Sequence, residues 1–597
     1  MTSSTAGRPD GGAFTLIIVG CGSRGLSVLE RVATLAASSS ARISVLVVDP
    51  QEPGPGLHSP GQPDYLMLNT VASQLSMFPD AATLDGERGR DGPDFHEWCV
   101  RHKPGPMPGR YAGEEALPAG ATDFLPRSWL GEYLAWTYRH VIDTLPPNMS
   151  VRHVADRAVS IDPDNAGGYH VITAGGHAYS GGALVVTIGH ATVDAVVPGR
   201  HDTTGIEPGD TVAVEGLGLA AMDAIAELTA GTGGRFHRDG TGTLRYRRSG
   251  LEPRIVMYSR GGLPYRTRPD IDADAARPSP VIFTLEAVAQ LRRRFPHEID
   301  FERQVLPLLK AEMIAAYYGT AARLAAGTAS AGERQRDRIA TWFASGVLDE
   351  RAGLLADTFG RFDPAALLLT ALPADAAGPA YQQWMKTFIA ADLRESRLGL
   401  ARSPLKAAAE VWRDCREQLR RLVDDQGLAP ASERLFYTRH APLVNRLVAG
   451  PQKERHDELL ALLDAGVVEM VRPTAVAKNG VGAALVLGDA GTRIAVRRVM
   501  CARIADNRHP DHQPTVIASL RDTQILQSIG DDGYGVRTDA QGRAIDPAGS
   551  VVPNLWLLGP VVEGSTYYNH YVPSAGAYSR AFVDAHRIAA AVTGAPR

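Results

Sequence analysis

Residues 14–28 read FTLIIVGCGSRGLSV, an apolar run that ends in a glycine-rich turn and leads into a second apolar pattern. The run has the length and composition of a strand buried on both faces of a parallel sheet. Gly20, Gly22 and Gly25 follow with G-x-G-x-x-G spacing, and LSVLERVATLA then places apolar residues at helical intervals. Strand, turn and helix in this order predict an α/β dinucleotide-binding unit, in which the helix N-terminus faces a pyrophosphate.

A second strand, ISVLVVD, supports this interpretation of the first glycine turn (Gly20, Gly22 and Gly25). It ends at Asp49, where such units carry an acidic residue that meets a ribose hydroxyl. The alternative is a glycine turn in an ordinary α/β unit. Because strand, turn, helix, strand and acid occur together, we interpret the turn as a nucleotide-binding site.

The same pattern occurs again in TVAVEGLGLAAMDAIA. Gly216 and Gly218 repeat the first two glycines, and Ala221 replaces the third, as the motif permits. We call these three residues the second glycine turn. Two such turns predict two bound dinucleotides.

The strand that follows the second turn, RIVMYSR, indicates which nucleotide binds there. It ends in Ser259 and Arg260, where an NAD site usually offers a carboxylate. A hydroxyl and a guanidinium suit a 2′-phosphate instead, which predicts NADPH. Because a long interruption precedes this strand, an incidental surface position for Arg260 stays open.

Composition restricts the class of ligand. The 62 basic and 66 acidic residues nearly balance, so the sequence gives no reason to expect nucleic acid or an anionic membrane as a partner. No apolar run of about 18 residues is present to span a bilayer. The cysteines lie far apart and show no CxxC spacing, which favours a reducing cytoplasm. We therefore expect a large cytoplasmic protein that binds small molecules.

Two further glycines follow apolar strands. The segment ALVVTIGHATVDAVVPG places Gly189 after a buried strand. In flavoproteins that bind two dinucleotides, a comparable strand and glycine turn closes the first domain. NLWLLGPVVEGSTYYNH places Gly559 like the last glycine turn that approaches a flavin ring. The order of these segments is that of flavin-dependent reductases and monooxygenases.

The sequence also resembles a known family. VGCGSRGLSVLERV, YLMLNTVASQLSMFPD, FLPRSWLGEYLAW, GLEPRIVMYSRGGLPYRTRP and NLWLLGPVVEGSTYYN are similar to segments of large bacterial FAD/NAD(P)-binding proteins. This family includes the nitrosuccinate-forming L-aspartate N-monooxygenases of specialised metabolism. The resemblance implies FAD and NADPH as cofactors, O₂ as co-substrate and N-hydroxylation of a small amino acid, with L-aspartate preferred.

The resemblance also implies positions around the flavin. The residues implied to hold the FAD adenosine and pyrophosphate are Gly20, Gly22, Ser23, Arg24, Gly25 and Asp49. Asn69, Thr70 and Gln74 are implied to lie close to the isoalloxazine. The alternative for this last group is a capped loop, because Asn and Thr are common in turns for local reasons.

Candidate substrate contacts lie in two segments. A substrate with two carboxylates is best met by arginine, and GGLPYRTRP places Tyr265, Arg266 and Arg268 just beyond the NADPH strand. Arg266 is the first choice, with a 2′-phosphate or interdomain contact as its alternative. Asn569 and His570 of STYYNHY are candidates for the wall of the substrate site on the flavin side. The alternative for these two residues is a packing role.

The predicted fold class is α/β, with two Rossmann-like dinucleotide-binding domains, for FAD and NADPH, and a large α-helical insertion. The predicted segments are a flexible tail (1–12), the first part of the FAD domain (13–204), the NADPH domain (205–283), the helical insertion (284–466) and the return to the FAD domain (467–597).

No catalytic side chain is assigned, because the chemistry is expected on the flavin. The segment NRHPDHQP contains His509, Asp511 and His512, but no further ligand from a distant part of the sequence accompanies them. We therefore expect no metal ion. Two other functions stay open: a flavin oxidoreductase that inserts no oxygen, and a non-catalytic nucleotide-binding scaffold.

Overall fold

The computed structural model describes residues 14–84, 86–87, 89–107, 109–189, 203–271, 277–479, 483–489, 491–502, 514–529, 534–574 and 579–594. The tail predicted at 1–12 lies outside these residues. The chain forms two compact units. The first comprises Met1–Met107, Leu117–Val197 and Ile504–Arg597, and the second comprises Pro108–Ala116 and Pro198–Arg503.

The first unit begins with strands and helices in alternation. The strands are β1 Leu16–Val19, β2 Ile43–Val48, β3 Met149–Val154, β4 Ala158–Pro163, β5 Tyr169–Thr173, β6 Ala178–Gly181 and β7 Leu184–Val186. The helices are α1 Ser23–Ala36, α2 Phe95–His102 and α3 Arg127–Asp143, with a 3₁₀ turn at Ala72–Gln74.

The second unit carries a strand-rich start, a long helical stretch and a strand-rich end. Its strands are β8 Thr211–Glu215, β9 Arg235–Arg238, β10 Leu244–Arg247, β11 Arg254–Tyr258, β12 Val468–Met470, β13 Pro473–Asn479, β14 Ala483–Gly488, β15 Arg493–Val496 and β16 Arg498–Cys501. Its helices are α4 Leu219–Leu228, α5 Leu285–Arg294, α6 Leu306–Ala326, α7 Ala329–Ala344, α8 Leu348–Phe359, α9 Pro364–Leu368, α10 Pro379–Arg402, α11 Pro404–Asp414, α12 Arg416–Val423, α13 Pro430–Leu435, α14 Ala441–Val448 and α15 Lys453–Asp464. Short 3₁₀ and π segments lie at Ala230–Thr232, Phe301–Val305 and Phe436–His440.

The chain then returns to the first unit. The remaining elements are α16 Thr515–Asp522, β17 Ser528–Ile529, β18 Tyr534–Val536, β19 Arg543–Ile545, β20 Val551–Leu557, a 3₁₀ turn at Pro560–Val562 and α17 Arg580–Thr593.

The first unit is built on a six-stranded sheet with the order β19-β20-β7-β1-β2-β3. All its pairs are parallel except β19 with β20. The residues of β1 are 0–2% exposed, because helices and other strands cover both faces of the sheet. The strand order reverses at β1, and in such sheets ligands bind beyond the carboxyl ends of the strands at that point.

The second unit contains a smaller parallel sheet with the order β12-β11-β8-β16. The stretch predicted to be helical, residues 284–466, holds α5 to α15. The α/β class and the helix-rich region are therefore confirmed.

The predicted return to the first sheet at residue 467 differs from the structure. β12 pairs with β11, and β16 pairs with β8, so both belong to the second sheet. Their side chains Val468, Met470 and Met500 are buried in the core of the second unit. The chain leaves the second unit only after Arg503.

Candidate functional site

The first glycine turn has the geometry that its sequence predicts. Gly20 adopts a φ of +84°, and a Cβ atom there would lie 2.8 Å from the carbonyl oxygen of Thr187. A Cβ on Gly25 would lie 2.3 Å from the carbonyl oxygen of Gly20. The tight turn and the close contact of α1 with the neighbouring strand ends therefore require glycine at both positions.

Gly22 has a different surrounding. It is the residue before α1, and apart from its chain neighbours Gly56 is the one described residue within 4 Å of a Cβ placed on it. The space in front of the N-terminus of α1 is therefore open to a pyrophosphate, which fits a dinucleotide. Ser23 forms the first residue of α1 in this turn.

A segment that the sequence analysis missed borders this space. Gly54 and Gly56 have φ values of +113° and +55°. A Cβ on Gly54 would lie 2.5 Å from the carbonyl oxygen of Leu134. The signal was present as PGPG soon after Asp49, since alternating proline and glycine mark a constrained turn.

Asp49 lies at the end of β2 beside the first glycine turn. Its Oδ2 accepts a hydrogen bond from the backbone N–H of Cys21 at 2.7 Å, and its Oδ1 accepts one from Gln51 N–H at 2.9 Å. The carboxylate thus orients the backbone of the turn. Each oxygen keeps a further lone pair for a ligand hydroxyl, so the ribose contact stays a prediction.

Arg24 joins the first turn to the C-terminal segment of the same unit. Its guanidinium lies 4.1 Å from the centroid of the Tyr571 ring, and its Nη2 donates to the carbonyl oxygen of Asn569 at 3.4 Å. Gly559 has a φ of +84°, and a Cβ there would lie 3.6 Å from the Arg24 side chain. Gly20, Arg24 and Gly559 therefore belong to one site.

Glu563, which the sequence analysis did not select, orders the segment that contains Asn569 and His570. Its carboxylate accepts hydrogen bonds from Tyr568 N–H at 3.0 Å and from Asn569 N–H at 2.8 Å. It also accepts one from Asn569 Nδ2 at 3.0 Å, so this amide already has a structural partner. Tyr567 is buried, whereas His570 is exposed and 3.7 Å from Glu563.

Asn69, Thr70 and Gln74 lie in and beside the 3₁₀ turn and are half-buried. Backbone hydrogen bonds fix their loop, including one from Ser76 N–H to the carbonyl oxygen of Pro573 at 3.3 Å. Within the described part of the chain, the three side chains themselves make no hydrogen bond. The loop is thus ordered without them, which leaves their polar groups for a ligand.

Gly189 follows β7 with a φ of +72°, and a Cβ there would meet no described atom within 4 Å. Its backbone conformation favours glycine for reasons other than close packing. Most of the crossover after Gly189, residues 190–202, lies outside the described residues.

The second glycine turn repeats the first in outline. Gly216 has a φ of +142°, a Cβ there would lie 2.7 Å from the carbonyl oxygen of Ala502, and Ala221 is fully buried. A Cβ on Gly218 would lie 3.0 Å from the ring of Tyr265. Tyr265 therefore borders the second turn, because its segment passes Leu217, whose carbonyl oxygen accepts Tyr265 N–H at 3.3 Å.

Ser259 and Arg260 lie just beyond the carboxyl end of β11. Ser259 is half-buried and Arg260 is exposed. The Arg260 side chain makes no hydrogen bond or ion pair with any residue that the structure describes. This cation is therefore available to an anionic ligand at the end of the second sheet.

Arg266 belongs to a buried ionic cluster. Its Nη1 donates to Asp392 at 3.0 Å, and Lys406 donates to the same carboxylate at 2.9 Å. Burial raises the pKa of Asp392, but the Lys406 and Arg266 cations more than offset it and bring the pKa to about 2. Arg266 thus has a structural partner and is 13% exposed.

Arg268 is more deeply engaged. Its side chain is 3% exposed, and its Nη1 donates to Glu410 at 3.3 Å and to the carbonyl oxygen of Val448 at 3.1 Å. Removing one partner of a buried ion pair leaves an uncompensated charge and is destabilising, so Arg268 has a structural role in the second unit. The predicted substrate contact of Arg268 does not agree with this placement.

The structure also bears on metal binding and membrane insertion. Among the described residues, no group of three or more His, Cys, Asp or Glu side chains could hold a metal ion. His509, Asp511 and His512 lie outside those residues. In the described part of the chain, every helix is too short or too polar to cross a bilayer.

Comparison with known proteins places these features in context. The sequence profile of a family described as FAD-NAD(P)-binding matches residues 17–191. The nitrosuccinic acid synthase npaA of Aspergillus oryzae is 31% identical, over 94% of this chain and 89% of the relative. The nitrosuccinate-forming L-aspartate N-monooxygenase of Streptomyces cremeus is 34% identical, over 77% of this chain and 74% of the relative. The enzyme of the same description from Streptomyces davaonensis is 31% identical, over 77% of each chain.

Two solved structures resemble this chain over nearly its whole length. The L-lysine 6-monooxygenase of Pseudomonas syringae is 13% identical, with a TM-score of 0.44 over 98% of this chain and 100% of that one. The ornithine N-hydroxylase of Kutzneria sp. 744 is 11% identical, with a TM-score of 0.39 over 97% of this chain and 99% of that one.

Proposed function

Because the chain belongs to the family of the nitrosuccinate-forming L-aspartate N-monooxygenases, we propose that it oxygenates the amino group of L-aspartate to nitrosuccinate with FAD, NADPH and O₂. The observation that carries the proposal is the identity of 31–34% over at least 74% of each relative. The intact geometry of the first glycine turn supports it, because a protein without a cofactor has no need of that open space. We place the reaction in specialised metabolism.

The first glycine turn, with Ser23, Arg24 and Asp49, would hold the adenosine and pyrophosphate of FAD. Gly189 and Gly559 would let the backbone approach the cofactor, and Asn69, Thr70 and Gln74 would contact the isoalloxazine. When bound, FAD supplies acceptance of hydride and activation of O₂. The protein would position the reactants and exclude water. We assign none of its side chains to the oxygen transfer.

The second glycine turn would bind NADPH. Gly218 would let the backbone approach its pyrophosphate, while Gly216 would form the tight turn and Ala221 the close helix contact. Ser259 and Arg260 would meet its 2′-phosphate. The open guanidinium of Arg260 supports this choice over NADH. Tyr265 stays a candidate substrate contact, and because its ring borders Gly218 it would also line this nucleotide site.

The candidate substrate contacts lie far apart in the sequence. Arg266 stays our candidate for a substrate carboxylate, and Asn569 and His570 stay candidates for the flavin-side wall. The Asn569 amide is held by Glu563, so it would act chiefly through its fixed position. Arg268 is assigned to the fold instead.

We further propose that the first unit is the FAD domain, interrupted by an NADPH domain with a helical insertion. The widely spaced cysteines support a cytoplasmic location, and the near balance of charges supports small molecules as the partners.

A panel of amino acids, assayed for hydroxylamine, nitroso and nitro products in the presence of FAD and NADPH, tests the proposal. We expect product from L-aspartate above the other amino acids. NADPH oxidation that yields only peroxide with every amino acid would favour a flavin oxidoreductase. A colourless protein that oxidises no NADPH would favour a scaffold.

A further inference from the structure

A cavity of about 410 Å³ lies in the helix-rich part of the second unit. Its size falls within the range of roughly 300–1,000 Å³ that is usual for small-molecule sites. Its charged and aromatic lining residues are Arg266, Tyr317, Arg361, Phe362, Asp363 and Glu395. The lining therefore combines both signs of charge with an aromatic wall.

The two arginines differ in how they are held. Arg266 is fixed by Asp392, by Thr370 Oγ1 at 3.3 Å from Nη2, and by the ring of Phe388, whose centroid is 4.9 Å away. Arg361 is exposed and makes no hydrogen bond or ion pair with the described part of the chain. One guanidinium is thus fixed and the other is free, and both can bind a carboxylate.

Positive charge exceeds negative charge around Arg266. Asp392 is shared between Arg266 and Lys406. Burial lowers the pKa of the nearby Arg446, and the like charge of Arg266 lowers it further. A carboxylate bound at Arg266 would reduce this repulsion.

Glu395 gives the cavity a site for a cation. One of its carboxylate oxygens accepts a hydrogen bond from Ser403 Oγ. The other makes no hydrogen bond among the residues that the structure describes. An ammonium group can bind that oxygen, whereas a dicarboxylate without an amine would only be repelled by it.

The aromatic wall consists of two stacked rings. The rings of Tyr317 and Phe362 stack with their centroids 4.3 Å apart and an interplanar angle of 4°. Such a wall can pack against the short carbon chain of an amino acid.

We infer that this cavity binds an acidic α-amino acid, with its carboxylates at Arg266 and Arg361 and its ammonium group at Glu395. The inference deepens the proposed function and rests on it for the identity of the ligand as L-aspartate.

Calorimetric titration of the FAD-loaded protein without NADPH tests the inference, with L-aspartate and succinate as the two probes. We expect wild-type protein to prefer L-aspartate, because succinate lacks the amine. Arg361→Gln should weaken L-aspartate binding roughly tenfold or more through loss of a charged hydrogen bond. Glu395→Gln should narrow the preference for L-aspartate over succinate.

Arg351→Gln is the matched control, because Arg351 is an exposed arginine of α8 outside the cavity lining. Its affinity for L-aspartate should equal that of the wild type. Unchanged binding in Arg361→Gln, or an unchanged preference in Glu395→Gln, would overturn the inference.

The product assay separates this inference from the proposed function. Wild-type protein that forms nitrosuccinate although both variants bind like wild type would keep the function and reject the cavity. Wild-type protein that binds L-aspartate as described but yields no N-oxygenated product would keep the cavity and reject the function.

Discussion

Gly22 faces Gly56 in the first glycine turn, and a Cβ atom placed on Gly22 would lie 3.6 Å from the Gly56 Cα. This is an ordinary van der Waals distance, so the protein fold tolerates a methyl group at Gly22. A bound pyrophosphate needs the same space. Gly25 differs, because a Cβ there would lie 2.3 Å from a backbone oxygen. The two positions therefore separate cofactor binding from folding.

Gly22→Ala should lose FAD while its unfolding midpoint without cofactor stays near that of the wild type. The added methyl group occupies the pyrophosphate site, and we expect affinity for FAD to fall roughly tenfold or more. Flavin absorbance per protein after purification measures the loss. Gly353→Ala is the control, because Gly353 lies in α8 with no described atom within 4 Å of its Cβ position. A Gly22→Ala protein that purifies fully yellow would show that the turn does not hold FAD.

Gly25→Ala should destabilise the fold itself. The methyl group would meet the carbonyl oxygen of Gly20 and, at 2.8 Å, Oγ1 of Thr187. Strain of this kind lowers the free energy of unfolding by about 1–3 kcal/mol. Urea unfolding of the protein without cofactor measures it. An unfolding curve identical to that of the wild type would be incompatible with the close contact.

Arg260→Ala should raise the KM for NADPH and leave the KM for NADH nearly unchanged. Only NADPH carries the 2′-phosphate, and a charged hydrogen bond contributes about 1.5–3 kcal/mol, which is roughly tenfold or more in KM. Steady-state oxidation of the two nucleotides measures the effect. Arg247→Ala is the control, because Arg247 is an exposed arginine of β10 in the same unit. An equal rise in KM for both nucleotides would show that Arg260 does not contact the 2′-phosphate.

His456 should make stability depend on pH. Its Nδ1 lies 2.6 Å from Thr267 Oγ1, and burial lowers its pKa from 6.5 to about 4. Between pH 4 and pH 6.5 the unfolded chain binds a proton at this residue that the folded protein does not. His456 therefore leaves the free energy of unfolding undiminished above pH 6.5 and lowers it as the pH drops towards 4. The expected loss is about 3 kcal/mol.

Chemical unfolding at a series of pH values measures this dependence. His456→Asn should be less stable than the wild type at neutral pH, because the contact with Thr267 is lost. Its stability should then decline less steeply with acid. Equal slopes in the two proteins would exclude His456 as the cause.

The sequence predicts the two glycine turns better than the rest because their signals are local. Gly20, Gly25 and Gly216 stand at fixed spacings within a strand, a turn and a helix, so the motif identifies them although Gly20 packs against Thr187 and Gly216 against Ala502. The buried strands β1 and β8 are likewise evident from continuous apolar runs.

The partners of Arg266 and Arg268 could not be predicted in this way. Arg266 pairs with Asp392, 126 residues away, and Arg268 pairs with Glu410, 142 residues away. Nothing in YRTRP distinguishes an arginine that meets a ligand from one that meets a buried carboxylate. The packing of the helices decides between them, and hydrophobic periodicity does not report it.

The same limit explains Tyr265 and Glu563. Tyr265 borders Gly218 because its segment turns back past the start of α4. Glu563 acts on backbone N–H groups five and six residues along the chain, in a loop whose Tyr568 has a φ of +62°. Such a conformation is uncommon for tyrosine and is not evident from residue type.

The central claim is oxygen transfer to the amine of L-aspartate, and the most direct test is a turnover experiment with isotopically labelled O₂. The FAD-loaded protein would be mixed with NADPH and L-aspartate, and the products would be analysed by mass spectrometry alongside a peroxide assay. We predict nitrosuccinate that carries label from O₂, together with NADPH oxidation that is coupled to it. NADPH oxidation that yields only peroxide, with no labelled nitrogen product from L-aspartate, would contradict the account.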